Sequence, residues 1–224
     1  MPGKIQFHRQ KERIRKRLLK YSRKAFRMLP ELDKPQILDI GCGSGIPTME
    51  LARLSDGQIT GLDIDKGALD ELYIKIEKTG LSNRVNVMQR SILDMDFPKE
   101  SFDIIWAEGS IHVIGFKRGL QEWKHFLKPG GYMVIHDEQG NVKEKIDQIS
   151  SCGYELLGYF ILSTEVWRTE YFIPLEKLVS ESLERYTDNA EVLKEIRIAQ
   201  QELDMFTKDP ERNSSVCFVT KRKY

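Results

Sequence analysis

Asp39, Gly41, Gly43 and Gly45 share one short run, Asp39-Ile40-Gly41-Cys42-Gly43-Ser44-Gly45, directly behind the apolar Ile37-Leu38. Glycines between a strand and a helix permit positive φ and let a ligand approach the backbone. The helix that follows offers its unpaired N–H groups. Asp63 ends a second apolar run 22 residues after Gly41, where a carboxylate suits a bidentate bond to a ribose diol. The spacing is G-x-G-x-G and not the G-x-G-x-x-G of pyrophosphate binders. The Asp39 carboxylate would repel a diphosphate and attract an ammonium or sulfonium group. The electrostatics therefore favour a ligand with a cationic end over NAD. A second candidate group is Trp106-Ala107-Glu108-Gly109-Ser110-Ile111-His112, in which Glu108 stands just past a strand and the His112 imidazole could act as a general base. Trp167, Tyr171 and Phe172 form an aromatic cluster, with Trp167 and Tyr171 one helical turn apart. His136-Asp137-Glu138 has no further His within reach in sequence, so no metal site is expected.

The elements that position these residues follow from periodicity. Strands are predicted at 36–40, 58–63, 85–89, 102–107 and 132–136, and helices at 46–54, 66–79, 117–127 and 141–151. Lys128-Pro129-Gly130-Gly131 forms the turn into the fifth strand. Such alternation predicts a parallel sheet with helices on both faces. The tail reads as a strand at 156–162, helices at about 174–186 and 189–206, and a last strand at 215–220. At 10–29 a helix is predicted from the stripe Ile14, Leu18, Tyr21, Ala25 and Met28. Pro30 and Pro35 end it.

Length and charge bound the rest. The 224 residues fit one large domain with appendages, and a 40% hydrophobic fraction excludes wholesale disorder. The net charge of +1 hides a split. Residues 1–29 hold eleven Lys/Arg against Glu12, so they carry +10, which leaves the remaining residues with −9. The expected organisation is a basic helical arm at 1–29 and a domain at 30–224, with a helical insertion at about 164–213. Cys42, Cys152 and Cys217 are too scattered for a disulfide framework or a zinc site. With no apolar run of membrane-spanning length and no apolar signal region, a cytoplasmic protein without stable membrane insertion is expected.

Four segments together carry a family resemblance: ILDIGCGSGIPTMELA (37–52), GLDID (61–65), VMQRSILDMDFPKESFD (87–103) and LKPGGYMV (127–134). In order and spacing they resemble the class I S-adenosylmethionine-dependent methyltransferases, among them the ubiquinone- and menaquinone-biosynthesis type. The run Trp106–Gly131 is similar to uncharacterised members sharing a WAEGxI…LKPGG pattern. The resemblance implies a Rossmann-like α/β sheet of seven strands in the order 3-2-1-4-5-7-6. Its last strand is antiparallel, and an N-terminal helix and a helical insertion between the last two strands accompany it. It implies S-adenosylmethionine as cofactor. Gly41, Cys42, Gly43 and Gly45 would form the loop around it, Asp39 would lie near the methionine amino end, Asp63 would bind the ribose, and Ile64 would pack on the adenine. Ser91 and Ile92 stand where the family often has Asp and Ala, so the adenine contact is weaker here, with Asp94 as a compensating acceptor. Glu108 would face the sulfonium or the substrate.

Methyl transfer from a sulfonium needs nucleophile and methyl carbon held in line, and a base only for a protonated acceptor. Glu108 and His112 are the candidate catalytic groups. Trp106, Ser110, Trp167 and Tyr171 are the candidate acceptor pocket. A small-molecule acceptor and a monomer or dimer are expected. Two rivals stand beside this. One is an RNA, DNA or protein methyltransferase using the basic face at residues 4–27. The other is a non-catalytic cofactor-binding protein or an NAD-dependent oxidoreductase.

Overall fold

The strands form one seven-stranded sheet: β1 (Gln36–Ile40), β2 (Gln58–Asp63), β3 (Val85–Gln89), β4 (Phe102–Glu108), β5 (Leu127–Glu138), β6 (Tyr154–Leu162) and β7 (Ser215–Arg222). Their order is β3-β2-β1-β4-β5-β7-β6, as the family pattern requires. The neighbours from β3 through β5 pair in parallel. This computed structural model describes residues 2–209 and 214–224, so the last four positions of the expected insertion lie outside the described residues. The chain divides into two units, Tyr21–Phe160 with Val216–Tyr224 and Met1–Lys20 with Ile161–Ser215.

In the larger unit the register sorts the side chains. Asp39 stands opposite Trp106, Trp106 opposite Val134, and Glu108 opposite His136. In-register neighbours on parallel strands point to the same face, and residues two apart share it. Asp39, Trp106, Glu108 and His136 therefore lie on one face. The alternate residues Leu38, Ile40, Ile105, Ala107, Met133 and Ile135 fill the other. There they pack against Leu120 and Trp123 of α5 (Phe116–Trp123) and Ile149 of α6 (Val142–Ser151). The remaining crossovers are α3 (Ile46–Leu54) and α4 (Lys66–Thr79). Sharp local signals bound α4. The Asp65 carboxylate accepts from the N–H groups of Gly67 and Ala68, and Gly80 closes the helix in the left-handed region. Glu50 of α3 is a buried acid. It is held by Arg23 at 2.6 Å and Arg53 at 3.3 Å, and the Arg23 hydrogen bond keeps its carboxyl below the usual range.

The run 127–131 departs from the sequence expectation. It lies within β5, and α5 stops at Trp123. The strand partners jump from Phe102–Leu127 to Ile104–Tyr132. The surplus residues are absorbed as a bulge around Gly130, at φ +74°.

The N-terminal helix starts at Pro2, well before residue 10, and comes in pieces. These are α1 (Pro2–Arg15), a 3-10 turn (Lys16–Leu18) and α2 (Leu19–Phe26). Within the larger unit the Tyr21 ring lies 6.4 Å from that of Phe160, Phe26 lies 6.4 Å from Trp106, and Ala25 is fully buried. The smaller unit has its own core. Phe7, Ile14 and Leu18 join residues of α7 (Thr164–Trp167), a π-helical turn (Arg168–Phe172), α8 (Ile173–Arg185) and α9 (Ala190–Lys208). Phe172 stacks on Phe206 with 3.9 Å between centroids. Lys4 pairs with Glu195, Lys11 with Glu202 and Lys20 with Glu170. Part of the basic face thus meets acids of the insertion.

Candidate functional site

The glycine loop joins β1 to α3. The Gly41 and Cys42 N–H groups both donate to the Leu62 carbonyl of β2, at 2.8 and 3.0 Å, which anchors the loop to the neighbouring strand. Lys75 of α4 reaches the Ser44 carbonyl at 2.7 Å. Gly43 has φ +52°, and a Cβ built on it would meet nothing within 4 Å. Its backbone is open, as a cradle for a ligand must be.

Asp63 at the end of β2 organises this loop. One carboxylate oxygen accepts from the Gly43 N–H at 2.8 Å, the other from the Asp65 N–H at 2.9 Å. Each oxygen keeps a lone pair for a further donor, which is what a vicinal diol needs. Asp39 is buried beneath the loop and accepts from the Thr48 hydroxyl at 2.6 Å. Burial first, then the charges of Glu108 and Asp63, push its carboxyl up to about 7, while the Thr48 bond pulls the other way. The Asp63 and Glu108 charges thus both bear on Asp39 near the carboxyl ends of β1, β2 and β4, and a cation placed beside it relieves the repulsion. Cys42 is buried, and burial ahead of the Asp39 and Asp63 charges raises its thiol far above the ordinary range. It is a packing residue of the loop and not a nucleophile.

The Asp39 proton has a measurable consequence. Its folded pKa lies above its unfolded value, so between about pH 4 and 7 the folded state holds a proton that the unfolded state has lost. The ligand-free protein should lose stability as pH rises through that window. Asp39→Asn should flatten the dependence, so that the two melting-temperature curves converge or cross by at least about 2 °C between pH 5 and 7.5. Parallel curves would contradict the assignment.

Beyond β2 and β3 lies an apolar surface. Ile64 is 68% exposed and Leu93 56%. The Ile64 carbonyl accepts from the Gln89 amide at 3.3 Å. Ser91 accepts from the Leu93 N–H at 3.2 Å, so its hydroxyl shapes the local turn, and Ile92 packs on the main core. Asp94 is exposed.

On the β4 side the Trp106 indole is fully buried and donates to Glu108 at 2.8 Å. Its visible task is to hold that carboxylate. Ser110 is buried and donates to the Ile40 carbonyl at 2.6 Å, tying the turn after β4 to the end of β1. His112 sits exposed on a 3-10 turn, Ile111–Val113. Trp167 and Tyr171 belong to the smaller unit, with rings edge to face at 5.9 Å. There Tyr171 is buried in the core, and the Trp167 indole donates to Ser215 at 2.8 Å. Sequence reasoning leaves out Thr48 as the partner of Asp39, Leu93 as exposed apolar surface and His136 as the neighbour of Glu108. The first and last pairings depend on how elements pack, and Leu93 has no signal beyond following Ser91-Ile92.

Comparison with known proteins agrees with this layout. Residues 37–131 match the family model described as a methyltransferase domain. Sterol 24-C-methyltransferase ERG6B of Gibberella zeae is 33% identical over 103 residues, covering 46% of this chain and 27% of that protein. Methyltransferase GfsG of Streptomyces halstedii is 30% identical over 130 residues, covering 58% of this chain and 45% of that protein. The chain thus spans less than half the length of either relative. Among solved structures, the [4+2]-cyclase SpnF superposes with a TM-score of 0.73 at 19% identity, covering 91% of this chain and 80% of that one. A methyltransferase from Geobacter sulfurreducens, crystallised with S-adenosyl-L-homocysteine, gives 0.70 at 16%, covering 92% and 90%. At these identities the structural likeness establishes the fold.

Proposed function

We propose that this chain, whose residues 37–131 match the methyltransferase domain family, is an enzyme that moves the methyl group of S-adenosylmethionine to a small-molecule acceptor. The observation that carries this reading is the buried Asp39 carboxylate, on which the Asp63 and Glu108 charges act, with Asp63 bonded to the N–H of the open Gly43. A dinucleotide brings a diphosphate and would be repelled there. S-adenosylmethionine brings an ammonium and a sulfonium and would be drawn in.

Bound there, S-adenosylmethionine supplies an electrophilic methyl carbon on a positively charged sulfur. Asp63 receives the ribose hydroxyls with the lone pairs its backbone bonds leave over. Ile64 and Leu93 offer apolar contact to the adenine, with Ser91, Ile92 and Asp94 at its edge. Gly41, Cys42, Gly43 and Gly45 shape the backbone beside the methionine portion, and Asp39 balances its ammonium. Glu108, locked by Trp106, faces the sulfonium side. His112 and Ser110 stand on the turn where an acceptor would enter. Chain parts that hold and align reactants supply much of the rate in such a displacement.

Relatives named for sterol and rifamycin methylation support a small acceptor. The pairing of Lys4, Lys11 and Lys20 with insertion acids argues against the whole basic face being kept for nucleic acid. Among the described residues no helix is long and apolar enough to cross a membrane, and the three cysteines are free, which supports a reducing, cytoplasmic setting. Titration calorimetry tests the reading. S-adenosylmethionine and S-adenosylhomocysteine should both bind and NAD should not. Binding of NAD alone would overturn it.

A further inference from the structure

The fold closes Asp39 away from water, leaving it 1% exposed near the carboxyl end of β1. Among the described residues its hydrogen-bond donor is the Thr48 hydroxyl, at 2.6 Å, and no cation pairs with it. Thr48 is itself fully buried, in the first turn of α3. The bond therefore clasps the strand before the glycine loop to the helix after it. The titratable groups around Asp39 are all acids. Asp63 at the end of β2 and Glu108 at the end of β4 act on it, and it acts in turn on the Cys42 thiol of the loop. The nearby cations are engaged elsewhere. Arg23 of α2 and Arg53 of α3 both hold Glu50, and the Lys24 ammonium of α2 lies 4.2 Å over the Phe160 ring. A buried carboxylate with acids for neighbours and no counter-ion is costly to keep ionised, and a proton removes the cost.

We propose that Asp39 carries a proton in the ligand-free site and releases it to solvent as the ammonium of S-adenosylmethionine binds, with Thr48 as the positioning residue that holds the resulting carboxylate. The proposal rests on the methyltransferase reading and adds a proton to its binding step. The O–H bond of the carboxyl breaks, its electron pair stays on Asp39, and the proton leaves to the buffer. The ligand keeps its N–H bonds and becomes the missing counter-ion. Burial raises the Asp39 carboxyl to about 7, the Thr48 bond opposes this, and Glu108 and Asp63 add to it. A bound ammonium favours the ionised form, so the midpoint falls in the complex. Affinity should therefore climb with pH up to about 7 and then level off, until the ligand's own amine loses its proton near about pH 8. The Thr48 hydroxyl donates to the ionised form. Without it the free site keeps its proton to higher pH, and binding at low pH weakens further.

Titration calorimetry in buffers of different ionisation enthalpy counts the protons and needs no knowledge of the acceptor. At about pH 6 the wild-type chain should release about 0.9 proton on binding either S-adenosylmethionine or S-adenosylhomocysteine, since both carry the ammonium. 5′-Methylthioadenosine, which keeps the adenosine and lacks the amino-acid end, should release none, and neither should Asp39→Asn with S-adenosylhomocysteine. Thr48→Ser, which keeps the hydroxyl, should follow wild type. Thr48→Val should bind S-adenosylhomocysteine about tenfold more weakly than Thr48→Ser at about pH 6 and within about twofold of it at about pH 8.5. The same ratio at both pH values would reduce Thr48 to packing and overturn its role. Release with S-adenosylmethionine alone would assign the response to the sulfonium and overturn the ammonium assignment. Binding of both ligands to wild type without proton release would overturn the proposal alone, whether or not Thr48→Val folds. Failure of both to bind would remove the methyltransferase reading and the proposal with it.

Discussion

Asp63→Ala should weaken S-adenosylmethionine binding by a few hundredfold, a loss of roughly 3–4 kcal/mol. Two effects add. The carboxylate that receives the ribose diol is gone, and the N–H groups of Gly43 and Asp65 lose the acceptor that holds them at 2.8 and 2.9 Å. Asp63→Asn separates these contributions. Its amide oxygen still accepts from one N–H but offers only one oxygen to the ribose, so a loss of about tenfold is expected. Calorimetry on variants whose melting temperatures stay near wild type reads both numbers. Near-normal affinity in a folded Asp63→Ala protein would contradict the ribose assignment.

Gly43→Val and Gly45→Val should fail in different ways, although both glycines sit in the left-handed region. A Cβ at Gly43, φ +52°, meets nothing within 4 Å among the described residues. It costs about 1–2 kcal/mol of backbone strain and stands in the space a ligand would occupy. The variant should fold, melt a few degrees lower and bind S-adenosylmethionine at least about a hundredfold more weakly. A side chain at Gly45, φ +80°, runs into Leu72 of α4. Overpacking of that kind costs a further 1–3 kcal/mol or so. Gly45→Val should therefore lose much of its stability before any question of binding arises. Thermal melts paired with calorimetry distinguish the two. A Gly43→Val protein that binds normally would show that the open space beside the loop is not where the ligand lies.

The contrast between these glycines also marks what sequence can reveal. The motif 39–45, Asp63 and the elements β2, β3, α3 and α4 are legible because each is local. Asp65 and Gly80 bound α4 by hydrogen bonds within a few residues, and the apolar spacing does the rest. The run 127–131 is read as a turn because Pro and two Gly signal one. Pairing across the sheet absorbs it as a bulge instead, a tertiary effect invisible in the segment itself. The early start of α1 is missed because Phe7 is the lone large side chain of its first two turns to enter the core, too sparse for a stripe. In the candidate site, the carboxylates can be named from sequence. What holds them cannot. Thr48 under Asp39, Trp106 on Glu108 and His136 across from Glu108 follow from register and helix packing. Trp106 itself shows the difficulty. An aromatic residue near a strand end suggests a pocket wall, but the indole is fully buried and acts through its N–H.

The division of the chain bears on how the protein is made. The smaller unit draws its core from both ends of the sequence, with Phe7, Ile14 and Leu18 meeting residues from Trp167 to Phe206. During synthesis α1 therefore waits until residues as far on as Phe206 have been made before its apolar side finds its partners. In the meantime it carries many lysines and arginines and few acids, so nascent copies repel one another. β7 imposes a similar delay, since it follows the insertion in sequence and must slot between β5 and β6. Contacts so distant in sequence are closed late and slowly. The charge of residues 1–29 would then have a consequence independent of any ligand: it would keep an unpartnered amphipathic helix dispersed until α8 and α9 have been made.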